Sequence, residues 1–232
     1  MIQTKPGNAT DVIFGGGYLA FNAVGKPDNE WDCIRNDGLN LIQQWKNQHI
    51  SSNTSHNFVS NLQELKQLME DYQVEKSSNS SSTKDLLPEK ILGIFGNGHL
   101  SYEYEKPNTQ PTLSEMTQAA IELLHANAVR DDEEKGFFLM VEGKYIHFFS
   151  WNQFHENFVK MISWKIFTLF KGGRIDHAHH RTFANIALDE TLSLDKAVQT
   201  AMETLKSHFL DEETLVIVTA DHSHTMVLPG KN

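Results

Sequence analysis

Runs of apolar residues alternate with amphipathic stretches along this chain. Two runs are apolar throughout or nearly so: GFFLMV over residues 136–141 and TLVIVT over 214–219. A strand is apolar on both faces only where both are covered, so these predict buried strands of a parallel sheet. KILGIF over 90–95 reads the same way, and TDVIFGGG over 10–17 reads as a short strand entering a tight glycine turn. The other stretches follow the helical period. Residues 37–48 place Leu41, Ile42 and Trp45 on one side of a helix, 62–72 repeat the pattern, and 184–209 make one or two helices. The helix over 112–126 is the best marked. Thr112 caps it, Glu115 completes a capping box, and Met116, Ala119, Ala120 and Leu123 form its stripe. Alternation of strands and helices predicts an α/β fold with a mostly parallel sheet. Acidic motifs follow two of the buried strands, at the sheet edge where ligands of such folds bind.

Composition narrows the function. The chain has 232 residues, room for one sizeable domain, and a formal charge of −10. An acidic balance argues against nucleic acid as a partner. It leaves anionic substrates open, because bound metal ions reverse the local field. The single cysteine, Cys33, excludes a disulfide framework within the chain. The sequence shows neither a signal-peptide pattern at its start nor an apolar run long enough to span a membrane. Sequons at Asn8, Asn53 and Asn79 point weakly to a secreted relative. The polar tract 77–83 reads as a loop, and the GGG turn matches no phosphate-binding fingerprint.

Candidate chemistry sits in three places. GRIDHAHH carries Asp176 and His180, four apart, which on a helix would project to one face, as metal ligands must. A carboxylate with an imidazole suits Zn²⁺. His177 lies between them as a possible outer partner. TADHSHT places Asp221 and His222 directly after a buried strand, with His224, a further outer partner, projecting the same way as His222 if the segment stays extended. Glu142 ends the GFFLMV strand and offers the oxygen ligand that Mg²⁺ prefers. Each motif alone also reads as a solvated loop. Together they suggest a two- or three-metal site for phosphoryl transfer, in which ions about 4 Å apart clamp the attacking and leaving oxygens.

These residues resemble the animal alkaline phosphatases. GGRIDHAHH and TADHSHT carry the resemblance, with VIFGGG, GIFGNGHLSYEYE and LSEMTQAAIELL in support. The resemblance implies a three-layer α/β/α sandwich, incomplete at both ends of the sequence given. It implies Mg²⁺ on Glu142, a first zinc on Asp176 and His180, and a second zinc on Asp221 and His222. It further implies hydrolysis of small phosphomonoesters through a phosphoserine, a homodimer, and an extracellular or membrane-anchored location. No catalytic residue is assigned. The family's serine nucleophile and phosphate-binding arginine lie upstream of the matched region, so these residues alone are expected to be inactive. A non-catalytic module that binds metal or a partner is the alternative. A phosphodiesterase or sulfatase relative is a third reading, disfavoured by the GGRIDHAHH match. The family's peripheral calcium site is not expected, since Gly96 and Gln110 stand where two acidic ligands would fall.

The family runs Glu-Gly-Gly-Arg-Ile-Asp-His without interruption, whereas residues 143–171 separate Glu142 from Gly172 here. That block is rich in Phe, Trp, Ile and Lys. Gly-Lys at its start and Lys-Gly at its end permit codons holding a GT donor and an AG acceptor. The block therefore reads as translated intron. Its rival is an amphipathic lipid-surface helix with Phe154, Phe158 and Met161 on one face and Lys160 and Lys165 off it.

Overall fold

The computed structural model describes residues 9–25, 34–77, 88–129, 136–142, 145–149, 166–171, 173–220 and 222–225. Its strands are β1 (Val12–Gly15), β2 (His56–Val59), β3 (Lys90–Ile94), β4 (Phe138–Glu142), β5 (Tyr145–Phe149), β6 (Ile166–Lys171) and β7 (Thr214–Val218). Its helices are α1 (Tyr18–Phe21), α2 (Leu41–Ser51), α3 (Leu62–Ser77), α4 (Leu113–Val129), α5 (Gly173–His180) and α6 (Ala184–Ser207). The strands form one sheet in the order β2-β3-β1-β5-β4-β6-β7. Every neighbouring pair is parallel except the two that involve β5.

Helices cover both faces, which gives the three-layer α/β/α sandwich. Period-two alternation in β3 sends Ile91 to one side and Leu92 and Ile94 to the other. On the first side Ile91 joins Phe14, Leu139 and Val141 beneath α3, α4 and α6, through Leu65, Ile121 and Ala197. On the second side Leu92 and Ile94 pack on Ile42 and Trp45 of α2. Ile121 and Leu139 are wholly buried, and each such side chain stabilises the fold by about 1.5–3 kcal/mol.

The capping box of α4 forms as the sequence predicts. The Glu115 amide donates to Thr112 Oγ1 at 3.1 Å, and the Thr112 amide donates to the Glu115 carboxylate at 2.9 Å. The start of α2 differs from the expected residue 37. Asn40 caps it by accepting from the Gln43 amide. Asp37 is held instead by the Arg35 guanidinium, with contacts of 2.7 and 2.6 Å that pull its carboxyl down to about 2. β7 also departs from expectation. Among the described residues it lies at one edge of the sheet, leaving Val218 54% exposed although LVIV is apolar.

The glycine turn after β1 explains two of its residues. Gly17 adopts φ 95°, and a Cβ on Gly16 would lie 2.2 Å from the Gly98 carbonyl oxygen. The Gly17 amide donates to the carbonyls of Gly96 and Gly98, and the Tyr18 amide donates to Gly96. These amides are thus committed to the loop after β3, as a plain turn requires.

β5 and β6 come from the block 143–171. Residues 143–144 and 150–165 of that block lie outside the described residues, including the positions of the rival amphipathic helix. β4 lies between β5 and β6, and its register sets Glu142 opposite Lys171. The chain that leaves Glu142 therefore returns beside it before entering α5.

Candidate metal centre

α5 follows the carboxyl end of β6, and residues 222–225 follow the carboxyl end of β7. These strands are parallel neighbours, so the two histidine motifs meet at one edge of the sheet. α5 is helical throughout, which puts Asp176 and His180 on one face, and Ala178 anchors it against Tyr102, Ile186 and Ala187.

Asp176, His180 and His224 form the cluster. One ligand atom from each lies within 4.8 Å of the others. Asp176 Oδ2 is 3.5 Å from His180 Nε2, and Oδ1 is 3.6 Å from His222 Nε2 and 3.8 Å from His224 Nε2. Asp176 Oδ1 is buried and has no hydrogen-bond partner among the described residues. The tautomers of two imidazoles follow from the backbone. His222 Nδ1 lies 2.9 Å from the Ser223 carbonyl, and His224 Nδ1 lies 2.6 Å from the Thr225 carbonyl. A carbonyl only accepts, so in the neutral ring Nδ1 carries the proton and Nε2 keeps its lone pair. Two acceptor nitrogens thus face an acceptor oxygen, an arrangement that a cation between them would satisfy. Ligands about 2.0–2.2 Å from a tetrahedral zinc stand roughly 3.3–3.6 Å apart, close to these separations. The residues present fit zinc.

His224, read from sequence only as an outer partner, is therefore a member of the cluster, and its ring packs edge-on against His180 at 4.3 Å. Asp221 lies outside the described residues. Glu142 is half-buried at the tip of β4 and does not join the cluster. His177 turns away and meets the His99 ring edge-on at 4.9 Å. Sequence reasoning missed His99, Arg174 and Arg181, which border a cavity beside the cluster. Arg174 stands inside the GGRIDHAHH motif itself, and His99 follows a strand tip as Asp221 does.

Fold and geometry define an α/β protein with a carboxylate–imidazole cluster that fits a metal ion, at the carboxyl ends of parallel strands. The chain belongs to the alkaline phosphatase family, whose profile it matches over residues 1–159 and 164–232. It is 38% identical over 232 residues to a membrane-bound alkaline phosphatase of Bombyx mori, covering 99% of this chain and 32% of that protein. It is 33% identical over 227 residues to the tissue-nonspecific alkaline phosphatase isozyme of Homo sapiens, covering 95% of this chain and 33% of that protein. Among solved structures it resembles the cold-active alkaline phosphatase of a psychrophilic Shewanella with a TM-score of 0.50 and 22% identity, over 93% of this chain and 34% of that one. The chain thus spans about a third of the length of the curated relatives it matches.

Proposed function

We propose that these residues supply the zinc-binding part of a phosphomonoester hydrolase. The observation that carries this reading is the buried, unpartnered Asp176 Oδ1 faced by the Nε2 lone pairs of His222 and His224. Asp176, His180 and His224 would hold one zinc, with His222 and Asp221 serving a second as the family resemblance implies. Bound zinc would activate an oxygen nucleophile and offset charge on the phosphoryl oxygens. The carbonyl bonds of His222 and His224 fix their ring orientation and tautomer, so the ligands are arranged before the ion arrives. Glu142 would serve magnesium. In the complete protein the substrate is a small phosphomonoester, the assembly a homodimer, and the location extracellular or membrane-anchored. No helix among the described residues is long and apolar enough to cross a membrane.

These 232 residues alone are read as inactive, because nothing in them matches the family's serine nucleophile. The block 143–171 is read as translated intron. A specific observation favours the alternative, non-catalytic reading for the chain as it stands. β6, not β4, leads into α5, so Lys171 occupies the strand end that Glu142 would take in an uninterrupted motif. The deciding experiment measures zinc-dependent release of phosphate from p-nitrophenyl phosphate by the purified chain beside an Asp176→Ala control. No turnover in either, with zinc bound only by the unsubstituted chain, is the expected result. Turnover above the control would show that the chain catalyses without the missing serine.

A further inference from the structure

Beside the cluster lies a cavity of about 680 Å³ whose walls include His99, Tyr102, Arg174, His177, His180 and Arg181. His180 is shared, so the cavity opens directly onto the proposed metal centre. Two guanidiniums and three imidazoles line it against one carboxylate, that of Glu105. This local balance is the reverse of the chain's formal charge of −10.

Arg174 is the unusual member. It is only 8% exposed, its guanidinium lies over the Tyr102 ring at 4.1 Å, and its buried Nε has no hydrogen-bond partner among the described residues. Burial lowers its pKa, opposed by the charges of Tyr102, Glu190 and Glu105. The Glu190 carboxylate already accepts the Glu103 amide at 2.7 Å. A desolvated cation with an unsatisfied donor is costly unless an anion meets it. Arg181 is exposed and lines the same cavity, and a guanidinium fork suits bidentate binding of a carboxylate or phosphate.

We propose that this cavity is a subsite for a second anionic group on the substrate, with Arg181 as its selecting residue. The inference rests on the proposed phosphatase reading and deepens it. With the transferred phosphate at the Asp176 cluster, the alcohol part of the ester enters the cavity past His180. A leaving group carrying a carboxylate or a further phosphate meets Arg174 and Arg181 there. A neutral leaving group of the same size meets the same walls but brings no charge to the two guanidiniums.

The test is calorimetric and needs no turnover. The full chain, zinc-loaded and metal-free, is titrated with 2-phosphoglycolate and with ethyl phosphate, which is similar in size but lacks the second charge. The zinc-loaded chain should bind phosphoglycolate about tenfold or more tightly than ethyl phosphate, the effect of one charge-assisted hydrogen bond. Arg181→Ala should cut that preference to about twofold, and Arg181→Lys should restore part of it. Equal affinities for the two probes, no binding of either in any form, or a preference that survives Arg181→Ala would overturn the subsite. Phosphoglycolate binding that ignores zinc yet disappears in Arg181→Ala would keep the subsite and overturn the phosphatase reading instead.

Discussion

Oδ1 of Asp176 lies 3.8 Å from Nε2 of His224, and both atoms are acceptors. One stands on a helix after β6 and the other in the segment after β7. Parallel pairing of those two strands brings them together. Zinc should therefore bind with an affinity that falls on acidification, because imidazole ligands must be neutral to coordinate. Zinc titrations across the mildly acidic range check this. His224→Ala should weaken binding by roughly tenfold or more if the imidazole is a ligand, by comparison with the 10–100-fold cost of losing even an outer partner.

Tyr72 supplies a pH prediction remote from the site. Burial, and then the nearby Glu122 carboxylate, push its hydroxyl up to about 12. The folded state thus holds the phenol proton more tightly than the unfolded state, whose value is 10.0. The stability linked to it is fully present below that value and is lost as pH rises from there through about 12. The loss is on the order of 2–3 kcal/mol. Denaturant melts on this alkaline limb should be flatter for Tyr72→Phe than for the unsubstituted chain. Equal slopes would show that Tyr72 ionises freely.

The glycine turn offers a packing test. Gly16→Ala drives a Cβ into the Gly98 carbonyl, and backbone, unlike a side chain, cannot swing aside. Overpacking of this kind costs about 1–3 kcal/mol. Thr112→Ala removes one arm of the α4 capping box and costs about 1 kcal/mol. Thermal melts should rank the two, with Gly16→Ala the lower melting.

Much of this architecture was legible in sequence. GFFLMV and TLVIVT read as strands because continuous apolar runs have few other solutions, and Thr112 with Glu115 announced α4 through a local, reciprocal bond. The Asp176–His180 spacing was legible because a helix fixes which residues share a face. β2 was not, because its four residues, HNFV, are too few and too polar to show a period. Exposure of Val218 depends on where β7 falls in the sheet order, which no local pattern encodes. His224 became a cluster member, and Arg174 a cavity wall, only through packing between segments distant in sequence.

The block 143–171 gives a prediction at the level of the message. Sequencing the transcript across the codons for Glu142 and Gly173 should return an uninterrupted Glu-Gly-Gly-Arg-Ile-Asp-His. β4 would then feed α5 directly, with Glu142 at the strand end that Lys171 now holds. A mature message that keeps the block would refute the intron reading and favour the non-catalytic one.

The proposed chemistry turns on the metal centre built on Asp176. Its most direct test is a zinc titration of the purified chain against a chromophoric chelator, run beside Asp176→Ala. Zinc should bind the unsubstituted chain, and the variant should lose roughly a hundredfold in affinity, the upper end of the cost of losing even an outer partner. Equal affinity in the two proteins, or none in either, would contradict it.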